Sequence, residues 1–316
     1  MSRFQPLFKN PHVQTLAGHL WKRPPEPAPL ENELFEAEAG VQVLVQSQYP
    51  AGARRGDVVL VHGMEGSGSS GYIRSMASAA FRGGFAVHRF HMRTCGGTER
   101  MSATLYHGGL TSDLTAVLRE FRARRLGPVF VVGFSLGGNV VLKMAGELGE
   151  KAPELVKGVC AVSAPIDLEA AALRIGEWQN RIYERRFVRR MLARLYATGR
   201  YAEADFQGLR TLRAIDDKIT APSFQFGTAL NYYRSQSAAR FLSGIRVPAL
   251  LVQAKDDPFI PFQVFASPSI TQNSWIELNA PEHGGHLGFI SREGNRFWAD
   301  SVIMSWISKI AAIESN

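Results

Sequence analysis

Ser135 lies between Gly133 and Gly137, where the apolar run PVFVVGF (residues 128–134) gives way to a helix-like segment. A Gly-x-Ser-x-Gly pattern between a strand and a helix is typical of a sharp turn that presents the serine hydroxyl as a nucleophile. Glycines permit close backbone approach, and the following helix directs its first N–H groups toward the hydroxyl. Because so short a pattern also occurs by chance, the prediction depends on partners elsewhere in the chain.

A histidine that could accept the serine proton lies in APEHGGHLGF (residues 280–289), after the last predicted strand. We predict His286 as this base, because Gly284 and Gly285 leave the loop room to reach the serine. His283 is the alternative. The base of a serine nucleophile takes its proton and returns it to the leaving group.

The carboxylate that orients such a histidine is expected between the serine and the histidine in sequence. AKDDPFIP (residues 254–261) follows an apolar strand and offers two adjacent aspartates. We predict that Asp257, directly before Pro258, accepts from the imidazole, and that Asp256 bonds the loop backbone or faces solvent. The order Ser135, Asp257, His286 is that of the α/β-hydrolases, whereas two other triad folds use different orders.

Stabilisation of an oxyanion needs two backbone donors. The glycine-rich segment HGMEGSGSSGY (residues 62–72) follows the first buried strand, and its position predicts that the N–H of Met64 pairs with that of Leu136. A phosphate-binding loop would end in Gly-Lys-Ser/Thr, and this segment contains no lysine. Neither a metal nor a cofactor is expected, because the chain has no H-x-x-x-H or C-x-x-C pattern. Cys95 is a weak alternative nucleophile without an assigned base.

Apolar strand patterns alternate with helical ones along most of the chain. Continuous apolar runs predict strands buried on both faces of a sheet, and their alternation with helices predicts a mostly parallel sheet covered on both sides. We therefore predict an α/β-hydrolase fold with a helical cap insertion. The expected units are an N-terminal arm and linker at 1–33, a core at 34–165 and 248–316, and the cap at 166–247.

The 316 residues carry a net charge of +8, and ten of the arginines fall between Arg174 and Arg213. This cluster predicts either an ordinary solvated face or peripheral contact with an anionic lipid; no nucleic-acid partner is expected. Two cysteines, and the lack of a signal-peptide core or of a membrane-spanning stretch, favour a cytoplasmic protein.

Taken together, these segments resemble the YheT-like branch of the α/β-hydrolases. The similarity lies in NPHVQT (10–15), HGMEGSGSSGYIR (62–74), HMRTCGGTE (91–99), GFSLGGN (133–139), the Tyr232-Tyr233 pair, DDPFIP (256–261) and HGGHLGF (283–289). Thr94 departs from the pattern, in which glycine is expected before the cysteine. The resemblance implies hydrolysis of carboxylic esters, with some relatives transferring acyl groups to alcohols.

The predicted function is a serine hydrolase that cleaves acyl esters through an acyl-enzyme. Aromatic residues of the cap, among them Phe224 and Phe226, favour apolar short- to medium-chain acyl groups, although they could equally form ordinary cap core. An alcohol acyltransferase with the same three residues is one alternative. A non-catalytic binding protein on this fold is another.

Overall fold

The computed structural model describes residues 4–314, and its described strands form one eight-stranded sheet in the order β1-β2-β4-β3-β5-β6-β7-β8. Strands β3 to β8 run parallel, whereas β1 and β2 pair antiparallel with each other and β2 pairs antiparallel with β4. The strands are β1 Glu31–Glu38, β2 Val41–Gln48, β3 Asp57–Val61, β4 Ala86–Phe90, β5 Val129–Phe134, β6 Gly158–Val162, β7 Ala249–Val252 and β8 Ile276–Asn279.

Helices cover both faces of this sheet. The helices are α1 Pro11–Leu20, α2 Gly71–Arg82, α3 Ser112–Ala123, α4 Leu136–Leu148, α5 Leu168–Ile175, α6 Arg181–Ala197, α7 Leu212–Ile215, α8 Ala221–Ser223, α9 Ala229–Gln236, α10 Pro268–Thr271 and α11 Trp298–Glu314. Apolar residues of α3 and α4 pack in one core cluster, and those of α2 and α11 pack in another. Strands β3 to β7 are buried along their whole length, as their continuous apolar sequences predict.

The segment between β6 and β7 is helical and contains α5 to α9. Its apolar residues form their own cluster around Val188, Met191 and Leu195 of α6. The proposed division of the chain into arm, core and cap stays a prediction. Strand β1 begins at Glu31, inside the range assigned to the arm. In residues 4–314, no helix is both long and apolar enough to cross a membrane.

Candidate active site

Ser135 stands at the junction of β5 and α4 in a backbone conformation that favours glycine, with φ 52° and ψ −124°. A left-handed non-glycine residue of this kind costs about 1–3 kcal/mol and clusters at functional sites. A Cβ atom added to Gly133 would overlap the Gly137 carbonyl oxygen, and a Cβ atom added to Gly137 would overlap the His62 carbonyl oxygen. Both glycines of the pattern are therefore required by close packing around the strained serine.

The structure brings Ser135, His286 and Asp257 together. The His286 Nε2 atom is 3.0 Å from the Ser135 Oγ atom, and His286 Nδ1 is 2.9 Å from Asp257 Oδ2. Asp257 is buried, and its Oδ1 also accepts from the N–H groups of Phe259 at 2.9 Å and Ile260 at 3.2 Å. These backbone bonds fix the carboxylate, which in turn can fix the imidazole tautomer with its proton on Nδ1.

The alternatives, Asp256 and His283, pair with each other instead. Asp256 Oδ2 lies 3.1 Å from His283 Nδ1, and Asp256 Oδ1 accepts from the Gly285 N–H at 2.9 Å. Asp256 therefore bonds the backbone of the histidine loop, as expected from the sequence.

The N-terminal helix α1 supports the same loop, which the sequence interpretation did not foresee. The His286 N–H donates to Thr15 Oγ1 at 2.9 Å, and Gln14 Nε2 donates to the Ile290 carbonyl at 2.8 Å. Asn10 caps the helix by accepting from His12 and Val13 N–H groups. The NPHVQT segment was the signal that could have shown this support.

The two segments that carry the predicted oxyanion donors both adjoin Ser135. A Cβ on Gly63 would come 2.9 Å from the Ser135 Cβ, so the loop that carries Met64 passes directly against the serine. The N–H of Gly63 donates to the Tyr72 hydroxyl at 3.0 Å, and the N–H of Glu65 donates to the Tyr106 hydroxyl at 3.1 Å. Leu136 opens α4, so its N–H has no acceptor within that helix. The pairing of Met64 and Leu136 as oxyanion donors stays a prediction.

Residues 58–297 match the family described as the alpha/beta hydrolase family. YheT of Escherichia coli (strain K12) is 33% identical over 313 residues, which cover 95% of this chain and 91% of that protein. The chain belongs to the alpha/beta hydrolase family. The predictions of this fold and of the YheT-like branch are thus confirmed.

Two other proteins resemble this alpha/beta hydrolase at lower sequence identity. A Saccharomyces cerevisiae protein named medium-chain fatty acid ethyl ester synthase/esterase 2 is 25% identical over 285 residues, covering 80% of this chain and 62% of the yeast protein. The solved structure of the Pyrococcus furiosus esterase Pf2001 matches with a TM-score of 0.60 at 14% identity and covers 98% of each chain. The structural match shows the shared fold.

A buried ion pair joins the cap helix α6 to the loop that carries Met64. Arg194 Nε lies 2.9 Å from both carboxylate oxygens of Glu65, and the Tyr106 hydroxyl donates to Glu65 Oε1 at 2.9 Å. Arg190 donates to the Glu65 carbonyl. Glu65 has a φ of 54°, so these contacts hold a strained residue beside the loop's predicted donor. Sequence interpretation missed Glu65 and Arg194, because arginines on a cap helix are usually solvated.

Thr94, the departure from the family pattern, joins this cluster. Its φ is 61°, which accounts for the glycine expected at this position. The threonine side chain adds a contact that glycine lacks, because Arg194 Nη1 donates to Thr94 Oγ1 at 2.9 Å. This hydrogen bond offsets part of the conformational strain of a left-handed threonine.

A cavity of about 790 Å³, including its open mouth, lies over Ser135 and His286. Its walls are largely apolar, and most of them come from the segment between β6 and β7, with Leu168, Phe187 and Met191 among them; Phe259 of the loop after β7 also contributes. A concave apolar pocket with a few convergent polar groups is the usual form of a small-molecule site.

Three other reactive side chains are not available for this chemistry. Burial raises the pKa of the Cys95 thiol, which keeps it protonated. Burial lowers the pKa of His62 to about 3 and that of His91 to about 4, so both are neutral at pH 7. His62 Nε2 accepts from the Met92 N–H at 3.2 Å, which is a structural contact.

Proposed function

We propose that the protein is a serine hydrolase that cleaves carboxylic (acyl) esters through an acyl-enzyme intermediate. The proposal is carried by one observation, the hydroxyl–imidazole–carboxylate chain of Ser135, His286 and Asp257 with donor–acceptor distances of 3.0 and 2.9 Å. Ser135 and His286 also line the apolar cavity. Such an arrangement activates a hydroxyl that is weakly nucleophilic at its ordinary pKa.

In the proposed first step, Ser135 Oγ attacks the ester carbonyl carbon while His286 Nε2 takes the hydroxyl proton. The carbonyl electron pair moves to oxygen, and the N–H groups of Met64 and Leu136 stabilise the resulting oxyanion. When the tetrahedral intermediate collapses, the alcohol leaves with the proton from His286. Water repeats the sequence and releases the acid. Asp257 accepts from Nδ1–H throughout and stabilises the imidazolium.

The apolar walls of the cavity support short- to medium-chain acyl groups as the substrates. The name of the yeast relative, which refers to medium-chain fatty acid esters, agrees with this proposal. A series of nitrophenyl esters of increasing acyl length tests it. We expect kcat/KM to pass through a maximum at short to medium length; a continued rise toward long chains would contradict the proposal.

Covalent labelling with a fluorophosphonate tests the nucleophile. We expect wild type and the Ser69→Ala control to be labelled equally, because Ser69 is an exposed serine of the glycine-rich loop. We expect Ser135→Ala to be unlabelled. Labelling that persists in Ser135→Ala would assign the nucleophile to another residue, and absence of labelling in wild type would favour the non-catalytic binding protein.

Alcohol acyltransfer is the second candidate, and the yeast relative's description as an ethyl ester synthase favours it. The two reactions share the acyl-enzyme and differ in whether water or an alcohol resolves it. Product analysis in the presence of ethanol separates them. A free acid as the main product supports hydrolysis, whereas an ethyl ester formed in excess over the acid supports transfer.

Peripheral contact with an anionic lipid surface is supported by the outer face of the cap. Arg181, Arg185 and Arg189 of α6 are exposed, and Trp178 and Ile182 beside them are each 81% exposed. Basic side chains around apolar ones are typical of an interfacial surface. Sedimentation with vesicles containing phosphatidylglycerol at low salt tests the contact. Equal binding to purely zwitterionic vesicles, or no binding at all, would remove it.

A further inference from the structure

The cavity over Ser135 contains a carboxylate that the proposed ester chemistry does not use. Asp216 lines its wall and is 9% exposed. Among the described residues that line this cavity, no other is acidic and none is lysine or arginine. In a largely apolar pocket, isolated polar groups are the ones that orient a ligand and give specificity.

Asp216 is held in place by hydroxyl groups. The Tyr233 hydroxyl donates to Asp216 Oδ2 at 2.6 Å, and the Thr220 hydroxyl also hydrogen-bonds the carboxyl group. Asp217, the next residue, pairs with Arg213 at 3.7 Å, whereas Asp216 forms no ion pair with any residue between 4 and 314. Two carboxylate oxygens offer about four acceptor sites, so Asp216 retains the capacity to accept from a ligand.

A buried carboxylate without a cation is costly to the fold. Burial raises the pKa of Asp216 to about 6, so it is an ionised acceptor at pH 8. Asp216 also begins a π-helical turn, Asp216–Thr220, between α7 and α8. Such turns insert one extra residue and are frequent at functional sites. A leucine at this position would avoid the electrostatic cost, which suggests that the carboxylate has a role beyond packing.

His107 also lines the cavity and supplies the opposite kind of group. Its Nδ1 accepts from the Gly109 N–H at 3.2 Å, which places the imidazole proton on Nε2. Burial lowers the pKa of His107 to about 3, so the ring is neutral and Nε2–H is a donor. A carboxylate acceptor and a neutral N–H donor in one pocket match a hydroxyl group, which can both donate and accept.

We propose that Asp216 is a specificity-determining residue that accepts a hydrogen bond from a hydroxyl group of the ester substrate. The proposal rests on the ester hydrolysis proposed above and narrows its substrates to hydroxyl-bearing esters. The hydroxyl can belong to the alcohol part, as in a polyol ester, or to the acyl part, as in a hydroxy-acid ester. A substrate ammonium group would suit the carboxylate but would leave the neutral His107 donor unmatched.

Matched ester pairs test the proposal. Glyceryl monobutyrate against propyl butyrate reports a hydroxyl in the alcohol part, and nitrophenyl ω-hydroxyhexanoate against nitrophenyl hexanoate reports one in the acyl part. Aminopropyl butyrate is the cationic competitor. In wild type at pH 8 we expect kcat/KM to favour the hydroxylated member of one pair by about 10- to 100-fold, the range of a hydrogen bond to a charged group. The pair that shows the preference identifies which part carries the hydroxyl.

In Asp216→Asn and Asp216→Leu we expect that preference, which is the ratio of kcat/KM for the hydroxylated ester to kcat/KM for the plain ester, to fall at least 10-fold. Asp217→Asn is the matched control, because it changes the same charge on the same turn outside the cavity, and we expect its preference to equal that of wild type. Asp216→Asn keeps the size of the side chain and an acceptor for Tyr233, so folding is tested separately by its thermal transition.

Several outcomes would overturn the subsite. If wild type hydrolyses both members of each pair equally, the proposed subsite is excluded without any variant. A preference unchanged in both Asp216→Asn and Asp216→Leu would make the residue purely structural, because leucine has no acceptor. A preference for aminopropyl butyrate would assign the site to cations. Failure of the proposed function is distinguishable, because wild type would then hydrolyse none of the esters and would not react with a fluorophosphonate.

Discussion

Replacing Arg194 with methionine should destabilise the protein and slow ester hydrolysis at the same time. Arg194 and Glu65 are 7% and 6% exposed, and the guanidinium Nε contacts both carboxylate oxygens at 2.9 Å. Removing one partner of a buried pair leaves an uncompensated charge and costs about 3–5 kcal/mol. We expect a loss of about 3 kcal/mol, the lower end of this range, because Glu65 keeps its hydrogen bond from the Tyr106 hydroxyl.

The effect on catalysis follows from the position of Glu65, directly after Met64 in the predicted oxyanion loop. If Arg194 and Arg190 hold that loop, its N–H groups move when the guanidinium is lost. A displacement of about 1 Å at a reacting group can cost about 10²-fold in rate. We therefore expect kcat for nitrophenyl butyrate to fall by up to about 10²-fold in Arg194→Met, with a smaller change in KM.

Urea unfolding at pH 8 and steady-state kinetics measure both effects. The double variant Glu65→Gln/Arg194→Met removes both charges, and we expect it to regain most of the lost stability. Arg213→Met is the matched control, because its pair with Asp217 is exposed and worth less than about 1 kcal/mol. If Arg194→Met loses no more stability than Arg213→Met and retains its kcat, the ion pair does not hold the loop.

Three further changes give independent tests. Asp257→Asn should lower kcat by about 10⁴-fold through the wrong imidazole tautomer, whereas Asp256→Asn, measured on the same nitrophenyl ester, should change it less than 10-fold. Because burial lowers the pKa of His62 to about 3, the free energy of unfolding of wild type should fall as the pH falls below 6.5. Urea unfolding of His62→Gln should show a weaker dependence of this free energy on pH, by about 1 kcal/mol per pH unit between pH 6 and 5. Thr94→Gly, which relieves a φ of 61° but loses the bond to Arg194, should leave the melting temperature nearly unchanged, while Thr94→Val should lower it.

The sequence predicts the parallel strands of the sheet well and the edge strand β1 poorly. DVVLV in β3 is buried along its length, so its apolar residues are continuous and easily recognised. ENELFEAE in β1 is an exposed edge strand with four glutamates, and charged side chains are how such edges avoid pairing with other chains. The same property that protects the edge hides it from a search for apolar alternation.

The residues of the candidate site also differ in how well the sequence predicts them. Ser135, Asp257 and His286 could be located from sequence because each follows a strand at the carboxyl edge of the sheet, where their loops must meet. Contacts that depend on how a helix packs against the rest of the protein could not be located from the sequence. Arg194 and Glu65 are 129 positions apart, and Thr15 meets the histidine loop from the other end of the chain.

The guanidinium of Arg194 affects two buried acids near the cavity, Glu65 and Asp216, and therefore both the rate of ester hydrolysis and the preference for hydroxylated esters. Glu65 has Arg194 as a direct partner, whereas Asp216 has only hydroxyl partners and a more distant attraction to the same Arg194, which lowers its pKa. Removing Arg194 therefore raises the pKa of Asp216 further and weakens it as an acceptor near neutral pH. At pH 6.5, Arg194→Met should lose part of the preference for hydroxylated esters along with kcat. At pH 8.5, where Asp216 is ionised with or without Arg194, only the loss of kcat should remain; a preference equally reduced at both pH values would mean that Arg194 shapes the subsite by packing rather than by charge.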